Sequence, residues 1–258
     1  MANNLLRALV DLRDRQVQKA RIQFSNRLSA LERGADDGHD SGQEEIVERW
    51  FDRFRKMEDE LDADIAEIVP DHPFFMELSA VRGIGPMYAA KLLAMIDIER
   101  AETVSALWRY AGCGVVDGKA ERPVKGEPLH FNKRLKVAVY LVAGSFLKCN
   151  SPYRAIYDSA REYYAANRLD WTKGHQHYAA LRKMAKVFLA HLWERWRMLE
   201  GLPTRSLYVH EKLGHNHRYS AEEFGWPQIA DGKQRTEVNE RAESRERTNV
   251  SERANNGE

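Results

Sequence analysis

The stretch Val81-Arg82-Gly83-Ile84-Gly85-Pro86-Met87-Tyr88-Ala89-Ala90-Lys91-Leu92-Leu93 decides how this chain is read. It follows an apolar segment, Phe74 to Ala80, that reads as one helix, and it opens a second predicted helix running to about Ile96. The two helices meet across Gly-Ile-Gly. Glycine adopts φ > 0 without steric penalty and lets the backbone approach a bulky partner, while Ile84 is expected to point inward and pin the turn. Pro86 suits the first helical position, where a missing N–H costs nothing. Free amides of the turn, with the positive end of the second helix dipole, make a natural phosphate site. This is the pattern of a helix-hairpin-helix, which grips the DNA backbone without reading bases. The same spacing also suits an ordinary tight connection between helices, and the downstream sequence favours the phosphate reading.

A chain of 258 residues can form one large domain or two small ones, each with a proper core. No run of about 18 apolar residues is present, so no membrane span is expected. The start, Met-Ala-Asn-Asn-Leu-Leu-Arg, lacks a basic region followed by an apolar one, and no secretory signal is expected. Cys113 and Cys149 are too few for a disulfide framework and fit a reducing cytoplasm. The formal net charge is only +1, but it is unevenly spread. Asp36 to Glu67 holds roughly 13 acids against 4 bases, whereas Arg82 to Arg197 holds roughly 20 bases against 10 acids. A basic middle joined to a phosphate-binding turn is the electrostatic footprint of a nucleic-acid partner.

From Asn3 to about Arg33 apolar residues recur at helical spacing, and after the glycine-marked break Gly34 to Gly42 a cleaner stripe follows: Ile46, Trp50, Phe54 or Met57, Leu61, Ile65, Ile68. Two long helices around a short loop fold back as a helical hairpin or pair with a second chain as a coiled coil, so a homo-oligomer is expected. Pro70-Asp-His-Pro73 stops the second helix. Val104 to Ala111 is expected to be helical with Ser105 near its start, and the polar loop Val115 to His130 admits a short hairpin. Phe131 to Lys148 turns helical again with Lys133, Arg134 and Lys136 at its start. The helix dipole disfavours cations there, which points to an external anion. Ser151-Pro152 is expected to cap a helix from Tyr153 to Arg168, and a basic, aromatic helix spans about His175 to Leu199. The organisation is therefore mainly α: a helical hairpin or coiled coil (1–70), a helix-hairpin-helix-containing domain (71–200), a peripheral segment (201–227) and a disordered tail (228–258).

Val81-Arg-Gly-Ile-Gly-Pro, Ala89-Ala-Lys-Leu-Leu, Ile96-Asp-Ile-Glu, Ala106-Leu-Trp-Arg-Tyr-Ala-Gly-Cys, Asn132-Lys-Arg-Leu and Ala180-Leu-Arg-Lys-Met-Ala-Lys occur in that order. Together they resemble the C-terminal domain of the insertion-sequence 110/116/902 transposases, over roughly Phe74 to Arg197. The resemblance implies a DNA-contacting helix-hairpin-helix, a preceding coiled coil, a nuclease-like DEDD domain ahead of it, and a nucleophilic serine in the loop before the Asn-Lys-Arg helix. Two departures stand out. The 70 residues before the domain have helical spacing and no run of buried strands, so they are not expected to house the four-carboxylate sheet. Their acids read as solvated faces of long helices. The loop Gly114 to His130 contains no serine, threonine or tyrosine, which leaves no hydroxyl to activate. Ser105 reads as a helix-cap residue and Ser145 as a helix-packing residue.

His175-Gln-His177 and His215-Asn-His217, with His191 and His210, do not have the spacing of a metal site, and no metal or cofactor is expected. The aromatics of Trp171 to Trp196 read as core rather than as a base-stacking platform. The expected function is DNA-backbone binding by Arg82, Gly83, Ile84, Gly85, Met87 and Lys91, with Lys133, Arg134 and Lys136 as supporting cations. The partner is duplex or junction DNA, with no membrane. The alternatives are a transposase or recombinase that works with a partner domain or a displaced nucleophile, Ser105 or Ser145, and a protein-protein adaptor.

Overall fold

The computed structural model describes residues 2–33, 41–116, 119–126, 128–204 and 219–228. The chain is mainly helical and falls into two compact units. One is drawn from Met1–Phe75 and Pro86–Met95, the other from Met76–Gly85 and Ile96–Glu258.

In the first unit α1 (Ala2–Leu12) runs through a π-helical turn (Arg13–Val17) into α2 (Gln18–Glu32). The long α3 (Ser41–Ile68) and a 3-10 turn (Val69–Asp71) follow, and α5 (Pro86–Met95) completes the unit. Arg13 pairs with Asp62, Arg21 with Glu58, and the Phe24 ring lies 5.6 Å from that of Phe54. Partner numbers fall as the first rise, so α2 and α3 run in opposite directions. Leu6, Val10, Val17, Leu61, Ile65 and Val69 are buried, each stabilising the unit by about 1.5–3 kcal/mol. At the π turn the Arg13 guanidinium is buried and held by three carboxylates: Asp62 at 2.7 Å, Glu58 at 2.8 Å and Asp14 at 3.1 Å. Glu58 also accepts a hydrogen bond from Gln18 at 3.0 Å. The acids of this region are therefore not all solvated. Glu58 is buried because two arginines on the facing helix neutralise it.

The domain boundary read near Pro70 also needs correction. In α5 everything from Ala89 to Met95 is buried, and the helix packs on α1 and α3. A helix apolar on nearly every side stays where it can be surrounded.

In the second unit α4 (Phe75–Ser79, from Met76 onward) and the turn to Gly85 are joined by α6 (Val104–Tyr110), α7 (Lys133–Lys148), α8 (Arg154–Asn167) and α9 (Lys173–Leu199). The long α9 is the spine against which α6, α7 and α8 pack. At its centre Phe146 stacks on Tyr153 at 4.8 Å, with Phe188 edge-on to both. Trp193 and Trp196 are buried, and the Trp193 indole N–H donates to the carbonyl of Ala101 at 2.6 Å. Strands β1 (Val115–Val116) and β2 (Lys119–Ala120) pair antiparallel, Val115 opposite Ala120. Three helices begin at side-chain caps: Thr103 for α6, Asn132 for α7 and Thr172 for α9. Each leaves an oxygen accepting from backbone N–H groups of the first turn.

Two capping expectations are corrected. Thr103, with extended backbone, takes the position read for Ser105, which lies one residue inside α6 and is exposed. Ser151 does not cap α8 with its side chain: its carbonyl, not its hydroxyl, accepts from Arg154 N–H at 2.9 Å. The segment after residue 218, read as peripheral, contributes Ala221, Phe224 and Trp226 to the core. Trp226 donates to the Tyr153 hydroxyl at 2.8 Å. Gly34 to Asp40, part of the loop between the first two helices, and 229–258 of the tail expected to be disordered lie outside the described residues.

Candidate nucleic-acid interface

Of the nine residues singled out for DNA contact, Met87 and Lys91 belong to the first unit and the other seven to the second. Lys91 is buried, its Nζ 3.0 Å from Asp14, which also accepts from Arg13. Its charge is engaged inside the first unit, and this corrects its role as a phosphate cation. The partner is distant in sequence, so spacing around the glycine turn carried no sign of it. Met87 is half-buried at the first turn of α5.

The glycine turn is built by three local backbone hydrogen bonds within the second unit: Ala80 N–H to the Met76 carbonyl and Val81 N–H to that of Leu78, both at 3.3 Å, and Ile84 N–H to that of Val81 at 3.0 Å. Ile84 is buried, leaving only its backbone toward a partner. The two glycines have different roles. Gly83 has φ +105°, and a Cβ there would lie 2.8 Å from Cys149 Sγ and 3.0 Å from Phe146 Cδ1. Gly85 does not take positive φ, is exposed, and has no atom within 4 Å of where its Cβ would sit. Gly83 is thus required by packing on α7, and Gly85 lies on the open side. Ser145 fixes the turn from α7, its hydroxyl donating to the Gly83 carbonyl at 2.7 Å. Beside the turn a cleft of about 450 Å³ is lined by Ala80, Arg82, Asn150, Ser151 and Arg154, among others. Arg82 is exposed with no ion pair among the described residues, while Arg154 shares its charge with Asp158 at 3.3 Å.

At the other end of α7, Asn132 Oδ1 accepts from the N–H groups of Arg134 and Leu135 at 3.0 and 3.1 Å. These amides are already satisfied, so an anion at this end must be held by side chains. Lys133 is exposed and Arg134 half-buried, and Lys136 lays its ammonium 4.6 Å from the Phe131 ring centre. Among the described residues no carboxylate pairs with Lys133 or Lys136. Other members of the basic middle are internal. Arg195 is buried against Glu77 and Glu222, and Arg197 donates to the carbonyls of Ile98, Ala101 and Pro203.

The buried His191 sits between the Tyr153 hydroxyl at 2.7 Å and the Tyr219 carbonyl at 3.0 Å, and His177 pairs with Tyr157. No group of three metal-ligating side chains converges among the described residues, and His210, His215 and His217 lie outside them. No described helix is long and apolar enough to cross a membrane. Arg182 and Lys186 were read only as bases of the last helix and Tyr140 of α7 not at all, and none was singled out as a site residue. Their helical spacing was visible, but nothing local linked them to Lys136. A comparison with protein-family models, curated proteins and solved structures finds no match to this chain.

Proposed function

We propose that the second unit binds the phosphate backbone of nucleic acid, with DNA as the partner, as a chain related to transposases of mobile elements. The observation that carries this reading is the way α7 joins two features. Its C-terminal half holds the glycine turn through Ser145, Phe146 and Cys149, and its N-terminal half carries Lys133 and Lys136 without carboxylate partners among the described residues. Lys133 and Ser145 are about 18 Å apart along the helix at 1.5 Å per residue, on the order of five base-pair steps of 3.4 Å. An exposed Arg82 and an open Gly85 at one end, with cations at the other, match successive backbone contacts rather than a single anion.

The same geometry supports binding without strand transfer by this chain alone. The Ser145 hydroxyl is committed to the Gly83 carbonyl, and exposed Ser105 makes no side-chain hydrogen bond to a base among the described residues. In the first unit α2 and α3 leave Ile22, Ile46, Trp50 and Met57 partly exposed, which favours self-association through that pair.

Fluorescence anisotropy of labelled duplexes of unrelated sequence tests the binding. Similar affinities are expected across sequences, with Arg82→Gln and Lys133→Gln each weakening all of them equally. Variants that bind as tightly as the parent, or lose affinity for one sequence only, would show that backbone contact is not the mode.

A further inference from the structure

Two half-buried cations outside the glycine turn, Lys136 and Lys186, pack on α6 and the turn that ends it, and a third, Arg182, is near enough to act electrostatically on Cys113 of that turn and on Lys186. The Lys186 ammonium lies 4.0 Å from the Trp108 ring centre, and the Trp108 indole N–H donates to the Lys186 carbonyl at 2.8 Å. The N–H of Cys113 in turn donates to the Trp108 carbonyl at 2.8 Å. Lys136 packs on Gly112, its Cδ 2.6 Å from where a Cβ added to that glycine would lie, with its ammonium over Phe131. Arg182 stands one helical turn before Lys186 on α9, and Tyr140 one turn after Lys136 on α7, so each helix presents a pair on one face.

The charges in this cluster are not balanced. No carboxylate among the described residues pairs with Lys136, Arg182 or Lys186. Glu121, whose carboxylate lies 3.5 Å from the Cβ position of Gly114, forms no ion pair with any of them. The polar groups in reach do not supply a negative charge either. Burial pushes the Cys113 thiol up to about 11, against the opposing pull of Lys186, Lys136 and Arg182, and it pushes the Tyr140 phenol up as well. Both stay protonated at neutral pH. Burial, with Arg182 beside it, lowers the Lys186 pKa, so holding this cation next to the others is unfavourable without a counter-charge. The Tyr140 hydroxyl is half-buried and has no hydrogen-bond partner among the described residues.

We propose that Lys136, Arg182, Lys186 and the Tyr140 hydroxyl form a seat for a phosphate oxyanion at the junction of α6, α7 and α9. Aromatic faces hold two of the cations, Lys136 over Phe131 and Lys186 over Trp108, an interaction weaker than a charge-assisted bond to phosphate. Arg182 offers a planar donor fork, the lysines swing off their rings, and Tyr140 donates the remaining hydrogen bond. The seat depends on the backbone-binding reading only for what carries the phosphate, a nucleic-acid strand or a free phosphate compound.

The Trp108 indole N–H resonance reports directly on Lys186. The full chain is titrated with inorganic phosphate at constant ionic strength, with chloride as the reference, and then with an unlabelled duplex. A saturable shift of the Trp108 signal is expected with phosphate and not with chloride. In Arg182→Gln and Lys186→Gln the phosphate affinity should fall by about tenfold or more, and in Lys173→Gln, an exposed cation on the same helix, it should not change. Removing the Lys186 charge relieves an unfavourable burial, so that variant is expected to fold. No saturable shift, or one retained in both cluster variants, overturns the seat. If duplex produces the same shift and competes with phosphate, the carrier is nucleic acid. If phosphate shifts the signal and duplex does not, the seat stands as a site for free phosphate compounds, and the backbone reading loses Lys136.

Discussion

Replacing Gly83 with alanine should destabilise the second unit far more than the same change at Gly85. At Gly83 the backbone sits at φ +105°, where an L side chain costs on the order of 1–3 kcal/mol. The new methyl would also meet Cys149 Sγ at 2.8 Å and Phe146 Cδ1 at 3.0 Å, and relieving that overlap costs about 1–3 kcal/mol. Movement of the turn weakens the Ser145 hydroxyl bond to the Gly83 carbonyl, about 1 kcal/mol more. These effects share one relaxation and do not simply add, so about 3–4 kcal/mol is the expected loss. For a unit of this size that lowers the thermal midpoint by roughly 6–16 °C. At Gly85 the Cβ position is open and φ is not positive, and alanine there should change stability by about 0.5 kcal/mol or less. Urea titration followed by tryptophan fluorescence reads both variants. A Gly83→Ala protein within about 1 kcal/mol of the parent would refute the packing argument for the turn.

Lys91→Gln removes a buried cation that pairs with Asp14 at 3.0 Å, so it should cost about 3 kcal/mol of stability in urea. It should also leave the salt dependence of DNA binding unchanged, and a changed salt slope would return Lys91 to the interface. A thiol reagent at pH 8 should modify half-buried Cys149 first and Cys113 only on unfolding, since burial and the raised thiol pKa both protect Cys113. Equal rates for the two thiols would contradict this. Raised folded-state values for Cys113 and Tyr153 contribute stability that is present below their unfolded values and lost as pH rises. The urea midpoint should therefore fall from about pH 9 upward, less steeply in Cys113→Ala, and equal slopes would remove Cys113 as a cause. Trp50→Glu should shift the full chain toward monomer in light scattering, and an unchanged mass would rule out the exposed α3 face as a contact.

The helices were legible because apolar spacing is a local signal, as in Leu61 and Ile65 of the first unit or Leu135, Val139, Val142 and Phe146 of α7. The glycine turn was legible as a turn, with Ile84 inward. Which glycine carries the constraint was not, because that depends on Cys149 and Phe146 arriving from α7. Charge was read least well. Lys91 with Asp14 and Arg195 with Glu77 are pairs formed across long sequence separations, and a count of bases along the chain cannot subtract them. Phe224 and Trp226 stand alone in a polar stretch with no period to announce them, yet both are buried. The cluster of Lys136, Arg182 and Lys186 has the same origin: each lies on a visible helical face, and only the packing of α6 and α7 on α9 brings the faces together.

The most direct measurement is the affinity of the full chain for a mixed-sequence duplex as a function of salt concentration, for the parent, Arg82→Gln and Lys133→Gln. If the second unit holds the backbone, the logarithm of the binding constant falls linearly with the logarithm of salt concentration. Each variant should then lower the slope by about one while lowering affinity for every sequence alike. Binding that stays flat between low and moderate salt, or slopes identical in all three proteins, would contradict it.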